Sequence, residues 1–445
     1  MEIKGKYTSA DIYASTFEDG VIEQVYSIIN CKAFDGKRVV CMPDCHVGAG
    51  GPCGLVAEIG DYICPQQIGV DIGCSVSMMV LNKRIPVDKY AEFEHRIKKS
   101  VPMGFDVHDH TVIDQKDFRK FLGNWFSRYK AMQPEILDNL PVDVTEDWIT
   151  SVLKRIGMNE AMFWHSIGSC GGGNHFCELD SDGTTDVITL HFGSRNFGLK
   201  VCEYWTNVAN GAKKLTKDEA KAIVAAVKKE YIEAHGKMDS GFKSFKEEAL
   251  KKAVDSSGKI TGYLDGDNMN GYLCDMVFAQ GYARYNHITV QGIIADILMK
   301  YGITVVKEIH TTHNYIDFRD FTLRKSAISA NEGEVVIIPF NMRDGIALCE
   351  GLGNAEWLNS APHGAGRKMS RAKAKETLSM VEFSETMKGI YSTTVCEGTI
   401  DESPMAYKDS DEIVSQIDGT TVKILNLYKP LINIKAVEKK RPWEK

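Results

Sequence analysis

Metal-capable side chains recur in this chain beside glycine-rich backbone. Asp71 and Cys74 lie three residues apart in DIGC, so one turn can aim a carboxylate and a thiolate at a single cation. His175 follows three consecutive glycines, and His191 and His313 stand in the stretches HFGSR and THN. Each position alone also fits an ordinary role, as a capping aspartate, a buried thiol or a hydrogen-bonded core histidine. Together, the five side chains supply enough donors for a two-metal centre.

Three further features are suited to phosphate chemistry. The glycines at 171–173 can expose backbone N–H groups to an anion, and the planar guanidinium of Arg195 suits bidentate phosphate binding. His363 lies in a glycine-flanked loop close to Arg367, and an exposed imidazole beside a phosphate clamp can act as a nucleophile towards phosphorus. The alternative for His363 is a simple turn before an amphipathic helix, whose basic residues form only a solvated face.

Net charge and hydropathy argue against a membrane-spanning protein and against a surface that binds polyanions over its whole extent. Lys and Arg number 53 against 60 Asp and Glu in 445 residues, a net charge of −7, so a polyanion must bind in a local basic concavity. Residues 1–10 are polar, without the apolar segment typical of a secretory signal, and no apolar run reaches the roughly 18 residues that a membrane-spanning helix needs. We therefore expect a cytoplasmic protein without membrane contact, whose 12 cysteines are reduced thiols.

Short runs rich in Val and Ile predict the elements that position these side chains. Strands are expected at 38–42, 186–190, 303–309, 334–339 and 421–437, the last with a break at Pro430. Apolar periodicity predicts a helix at 217–234, with Thr216 and Glu219 as its capping box, and a second amphipathic helix at 371–388. We predict one large α/β domain at 1–437, with a helical excursion at 217–267 and a flexible tail at 438–445.

The motifs PDCHVGAG, DIGC, GSCGGGNHF, HFGSR, THN and APHGAGR occur here in the order typical of one known family. From about residue 37 to residue 435, the chain resembles the RtcB family of GTP-dependent RNA-splicing ligases. The resemblance implies an RtcB-like α/β fold around mixed β-sheets. It also implies a ligase that forms phosphoric ester bonds, joining an RNA 3′-phosphate or 2′,3′-cyclic phosphate end to a 5′-hydroxyl end. GTP and two manganese ions are implied as cofactors, although thiolate and imidazole donors alone favour zinc.

The resemblance also implies roles for individual residues. Cys74 would bridge two metals, with His191 and His313 on one, Asp71 and His175 on the other, and Asp44 near both. His363 would be the nucleophile that becomes guanylylated, and Arg195 and Arg367 would bind RNA phosphates. The implied nucleotide-binding residues are Asn174, Phe176, Glu178, Gly364, Ala365, Gly366, Tyr407 and Lys435.

The chain departs from the family in two places. A turn of the form GSMGTSSY, which contacts the nucleotide in the family, reads FNMRDGIA at 340–347 here, and the usual C-terminal Lys-Gly is Lys435-Ala436. The bulkier turn predicts a reshaped pocket that discriminates less well against ATP and dGTP.

Two other classes of function stay open on the residues alone. A metal-dependent phosphoesterase needs only the metals, and a protein that binds or caps nucleic-acid 3′ ends needs only a basic groove. His363 in APHGAGR favours the ligase. We expect a monomer acting on tRNA or cleaved RNA, and the sequence leaves open an activating protein partner.

Overall fold

Among the residues that the computed structural model describes, namely 1–211, 217–236, 241–242, 245–246 and 262–437, thirteen strands form one mixed sheet. They lie in the order β1-β2-β3-β4-β9-β8-β5-β7-β6-β13-β11-β10, and β12 pairs with β9. The predicted α/β fold is confirmed. The strands are β1 (Glu2–Lys4), β2 (Ser9–Ile12), β3 (Val39–His46), β4 (Cys53–Glu58), β5 (Ser75–Leu81), β6 (Phe176–Ser181), β7 (Asp186–Phe192), β8 (Val305–Asp317), β9 (Thr322–Ser329), β10 (Val335–Asn341), β11 (Gly345–Gly351), β12 (Ser360–Pro362) and β13 (Val422–Ile434).

One long helix packs under the centre of this sheet. Every residue of this helix from Tyr272 to Ala283 is buried, which is typical of a core helix rather than an amphipathic surface helix. It contacts three other helices, α2, α3 and α6, and three central strands, β5, β7 and β8. In the described part of the chain, no helix is both long and apolar enough to cross a bilayer. The α-helices are α1 (Asp19–Ile29), α2 (Tyr90–Ser100), α3 (Gln115–Met132), α4 (Glu146–Ile156), α5 (Glu160–His165), α6 (Arg195–Ala209), α7 (Lys217–His235), the long helix α8 (Gly266–Met299), α9 (Arg371–Thr377), α10 (Met380–Thr386) and α11 (Ser410–Ile417).

The central strands are buried on both faces. Every residue of β6 and β7 is buried. On one face, Ile188 and Leu190 pack with Val290 of α8, whereas on the other face Val187 packs with Ile337 of β10. Strands covered on both sides read as continuous apolar runs, which is why β7 is visible in the sequence.

The predicted strands are present, and several extend further than predicted. β3 continues beyond residue 42 to His46, and β7 continues beyond residue 190 to Phe192. β8 continues beyond the predicted end at residue 309 to Asp317, and so includes the THN motif. The predicted break at Pro430 is a shift of register between Pro430 and Ile432 within the continuous strand β13. Proline has no N–H to donate to a neighbouring strand, so it is tolerated at such an irregularity.

The helix predicted at 217–234 is confirmed as α7, although its Thr216 cap lies outside the described residues. Most of residues 237–261, in the predicted excursion at 217–267, and the whole predicted tail at 438–445 also lie outside the described residues. The single-domain organisation stays a prediction. The single helix predicted at 371–388 is wrong. Leu378 is extended with ψ 145°, and the Ser379 side chain accepts from the Val381 N–H to begin a second helix, so the segment divides into α9 and α10.

The fully buried Arg324 connects strands β8, β9 and β12. Arg324 of β9 forms ion pairs with Asp317 at 3.1 Å and with Asp320 at 3.0 Å. Its Nε also donates to Oγ of Ser360 in β12 at 2.8 Å. Since β12 leads directly into His363, this network fixes the strand from which that histidine projects.

All twelve cysteines are free, and ten of them are buried, as the sequence predicts.

Candidate metal and nucleotide site

The five predicted metal ligands lie at one end of four neighbouring strands. Strands β8, β5, β7 and β6 are consecutive in the sheet. Cys74 directly precedes β5, His175 directly precedes β6, and His191 lies at the end of β7 opposite Val76. The backbone N–H of His313 in β8 donates to the carbonyl of Cys74 at 2.8 Å. The register of the strands therefore brings together motifs that are far apart in sequence.

The ligand atoms form two groups that share one sulfur. Cys74 Sγ lies 3.4 Å from Nε2 of His191 and 3.5 Å from Nε2 of His175. Nε2 of His191 is 3.1 Å from Nε2 of His313, and Nε2 of His175 is 3.0 Å from Oδ2 of Asp71. Ligands bound to one ion at about 2.0–2.3 Å lie roughly 3–4 Å apart, which matches these spacings. The groups are Cys74, His191 and His313, and Asp71, Cys74 and His175.

The electrostatics of these groups suit a cation. Burial and the neighbouring imidazoles lower the pKa of His191 and of His313 well below the usual range, so both rings are neutral and can donate lone pairs. Burial, with the adjacent Asp71, raises the pKa of the Cys74 thiol well above its usual value. Because metals bind the thiolate, a cation at the sulfur would offset this burial. One thiolate, three imidazoles and one carboxylate fit divalent metal ions.

His363 lies between the metal groups and a cavity, and it is held by an aspartate. Its ring centroid is 4.8 Å from that of His313, and its Nδ1 is 2.8 Å from Oδ2 of the fully buried Asp44. The carboxylate accepts from Nδ1–H, which leaves the lone pair on Nε2. Asp44, predicted near the metals, thus contacts His363 rather than either ligand group.

The loop after His363 packs directly on the strand that carries Asp44. Gly366 has φ +74°, and a Cβ there would lie 2.0 Å from the carbonyl oxygen of Asp44. Only glycine fits this position, and the close approach holds the loop that carries His363 against the strand that carries Asp44.

A cavity of about 520 Å³ opens beside His363, a size suited to a small organic ligand. Phe340, Asn341 and Met342 of the altered turn line it, whereas Arg343 pairs with Asp344 at 2.7 Å outside the lining. The lining also includes all the predicted nucleotide-binding residues, which are Asn174, Phe176, Glu178, Gly364, Ala365, Gly366, Tyr407 and Lys435.

The buried Glu402, which the sequence analysis did not predict, binds several of these residues. The Tyr407 hydroxyl donates to Glu402 at 2.6 Å, and Lys435 and Arg367 each lie 3.4 Å from its carboxylate. Burial alone would raise the pKa of Glu402, but the charges of Lys435, Arg371 and Arg367 outweigh it and lower the pKa to about 2. Glu402 lies five residues before Tyr407 without any periodic or motif signal, so only the folded chain reveals it.

Glu178 is a titratable side chain in the lining of the cavity. Its side chain is buried, and Asn433 of β13 donates to it. Burial raises the pKa of Glu178 to about 7, against the opposing effects of Asn433 and Lys435. The carboxyl can therefore accept or donate a proton near neutral pH.

The two arginines predicted to bind RNA phosphates lie on different sides of the site. Arg367 lines the cavity. Arg195 begins α6 with φ 55°, and its side chain donates to Oγ of Ser169 at 3.0 Å and to the carbonyl of Gly104 at 2.6 Å. Its charge helps to lower the pKa of Asp71, so it lies on the metal side.

Comparison with known proteins finds relatives along nearly the whole chain. The RNA-splicing ligase RtcB of Escherichia coli (strain K12) is 28% identical over 429 residues, which cover 90% of each chain. The tRNA-splicing ligase RtcB of Methanococcus maripaludis is 24% identical and covers 98% of this chain and 95% of its own. That of Nanoarchaeum equitans is also 24% identical, covering 90% and 88%. A family model described as tRNA-splicing ligase RtcB matches residues 24–436. The predicted resemblance is confirmed, and the chain belongs to the tRNA-splicing ligase RtcB family.

Proposed function

We propose that this protein is a GTP-dependent RNA ligase that joins a 3′-phosphate or 2′,3′-cyclic phosphate end to a 5′-hydroxyl end through a covalent His363–GMP intermediate. The observation that carries the proposal is the position of His363, whose ring packs against His313 while the residue also lines the 520 Å³ cavity. A metal-dependent phosphoesterase needs only the metals, whereas the ligase also needs a nucleophile next to a nucleotide cavity, which is where His363 lies.

The chemistry requires activation, because a 3′-phosphate is anionic and attack on it would expel a strongly basic oxygen. Nε2 of His363 attacks the α-phosphorus of GTP, forming an N–P bond while the bond to pyrophosphate breaks. Asp44 keeps the proton on Nδ1 and stabilises the positive ring that results.

The GMP group then passes from His363 to an oxygen of the RNA 3′-phosphate. The 5′-hydroxyl attacks that phosphorus, GMP leaves, and a phosphodiester remains. A 2′,3′-cyclic end is first hydrolysed to the 3′-phosphate.

Two metal ions, which we propose are manganese, would be held by the two ligand groups that share Cys74. When bound, they supply positive charge next to the phosphate oxygens. The chain itself contributes the neutral imidazoles of His191 and His313, which can hold cations without adding charge repulsion.

The lining of the cavity is suited to guanine. Guanine offers N–H donors and an O6 acceptor along one edge. Ionised Glu178 can accept from such donors, and Lys435 can donate to the carbonyl. Arg367 in the same lining suits a phosphate. We propose tRNA or cleaved RNA as the natural substrate of a cytoplasmic monomer.

Incubation with manganese and GTP labelled at the α-phosphate tests the proposal. The wild-type protein should become covalently labelled, and label at the γ-phosphate should not be retained. His363→Ala should abolish labelling while metal content is unchanged, and His95→Ala, on the exposed surface of α2, should label normally. Label that persists in His363→Ala would overturn the proposal.

A further inference from the structure

Phe105 is the most exposed large apolar side chain in the described part of the chain, with 91% of its surface accessible. It projects from a tight turn in which the Asp106 N–H donates to the Met103 carbonyl at 3.3 Å. A phenyl ring left in water forgoes burial worth roughly 1.5–3 kcal/mol, so this position is unusual for an aromatic residue.

The turn is fastened to the glycine loop that precedes His175. The Cys170 N–H donates to the Pro102 carbonyl at 2.9 Å, and the Gly104 N–H donates to the Gly171 carbonyl at 3.2 Å. The backbone that carries Phe105 is therefore fixed, while the side chain itself projects into solvent.

Arg195 connects this turn to the metal ligands. Its Nη2 donates to the Gly104 carbonyl at 2.6 Å. A Cβ on Gly171 would lie 3.0 Å from Nη1 of Arg195 and only 1.9 Å from Nδ1 of His175. The hydrogen-bond acceptors of Arg195 are a hydroxyl and a carbonyl, and its charge acts on Asp71 without an ion pair among the described residues, so an anion that binds it displaces no paired carboxylate.

The size and setting of the ring favour a nucleobase over a protein partner. A Phe side chain offers about 150–250 Å² to a partner, which matches one base, whereas a stable protein interface needs about 800 Å² on each side. The other exposed residues of this loop, Asp106, Asp109 and His110, are polar and do not extend an apolar patch. The negative charges of Asp106 and Asp109 disfavour a phosphate at the turn itself. We therefore place the phosphate of a bound RNA at Arg195.

We propose that Phe105 is a stacking platform for a nucleobase of the RNA strand whose terminal 3′-phosphate binds at Arg195. This inference rests on the proposed ligase function and adds a base-binding site to it. Stacking on an aromatic ring accepts every base, so the site would hold the strand end without demanding a sequence.

The test measures the affinity for a short fluorescent RNA that ends in a 3′-phosphate, by anisotropy and without GTP. Phe105→Ala should weaken binding about 5- to 150-fold, the range that stacking of one base supplies. Phe105→Leu should stay weak because it lacks a π face, and Phe105→Trp should restore affinity. Val87→Ala, an exposed apolar residue beyond the far end of β5, should bind as the wild type does.

The same RNA with abasic nucleotides at its last three positions separates stacking from other causes. The wild type and Phe105→Ala should bind this RNA equally. Equal loss on intact and abasic RNA, or no loss on either, would overturn the inference. Labelling by GTP without RNA, measured on the wild type and Val87→Ala, tests the ligase proposal separately, so a protein that labels normally but shows no Phe105 effect contradicts only the stacking site.

Discussion

Asp44 favours the tautomer of His363 that carries its proton on Nδ1, because its carboxylate lies 2.8 Å from that atom. In the proposed function, this leaves Nε2 as the nucleophile. Asp44→Asn keeps the shape but can present an amide N–H to the ring, which favours the tautomer whose Nε2 carries the proton. We expect the rate of GMP labelling to fall by a factor on the order of 10² to 10⁴, with metal content unchanged. Rapid-quench labelling and metal analysis measure the two effects, and a variant that labels at the wild-type rate would contradict the assignment.

Cys74 is the one donor common to both ligand groups. Cys74→Ala should therefore reduce occupancy at both metal positions, whereas Cys170→Ala, a buried thiol outside both groups, should retain both ions. Metal content per chain after gel filtration gives the answer. One ion lost while the other stays fully bound would show that the thiolate is not shared.

Glu178, with its pKa raised to about 7, gives GTP binding a pH dependence of defined sign. The ionised form accepts hydrogen bonds from guanine and becomes more populated as pH rises, so the Kd for GTP should decrease between pH 6 and pH 8. Glu178→Gln cannot ionise and should flatten this profile. Calorimetry at several pH values measures it, and a wild-type Kd that increases with pH would rule out the accepting role.

At the scale of elements, the buried Arg324 network fixes β12 and hence the origin of His363. Arg324→Met removes the hydrogen bonds from the buried guanidinium to Asp317 and Asp320, whereas Asp317 keeps its ion pair with Arg319 at 2.6 Å. Losing a hydrogen bond to a charged group costs about 1.5–3 kcal/mol, so we expect a loss in this range or above in the free energy of unfolding. Arg96→Met removes an exposed helical pair with Glu92 and should cost no more than about 1 kcal/mol. Urea unfolding of both variants tests the contrast, and equal losses would refute it.

The turn at 340–347 should affect nucleotide selectivity, because Phe340, Asn341 and Met342 line the cavity where the family resemblance implies small residues and hydroxyls. We expect GTP to label His363 with poorer discrimination against ATP and dGTP than relatives with the Gly/Ser turn show. Shape alone supplies roughly 10- to 200-fold selectivity, against about 10⁴ for a fully hydrogen-bonded site.

The labelling kcat/KM for the three nucleotides, with and without GSMGTSSY grafted at 340–347, measures this effect. Asn341→Ser serves as a milder control because Phe340 and Met342 are also buried in the core. Strong selectivity for GTP that the graft leaves unchanged would assign recognition to Glu178, Tyr407 and Lys435 instead.

The elements most visible in the sequence are those whose pattern is local. β7 contains the apolar run of residues 187–190, and the five candidate metal-ligand positions stand in short motifs, so the strand and the clustering of these side chains can both be predicted. The break at Leu378 depends on a single cap by Ser379, which an amphipathic pattern hides. Glu402 and Arg324 act through partners brought near by the fold, and no local pattern reports such contacts.

At the scale of the whole molecule, the net charge of −7 means that the surface as a whole repels RNA. Arg367, Arg371 and Lys435 gather around the cavity, and the acidic pair Asp401 and Glu402 lies among them. Glu178 also lines this cavity, so its acidic side chains balance the three cations and the cavity carries no large excess of positive charge. Strand ends with exposed phosphates fit such a small site better than the side of a duplex does.

The carboxylate of Glu402 also affects how tightly the cavity can bind a nucleotide. Tyr407, Lys435 and Arg367 are already held in place by its carboxylate, so a ligand does not have to immobilise them. Ordering a flexible side chain on association costs about 0.5–1.5 kcal/mol, and this preorganisation avoids that loss for each of the three. Because their charge is partly balanced inside the protein, few counterions gather at the cavity, and affinity for the nucleotide should change little with ionic strength.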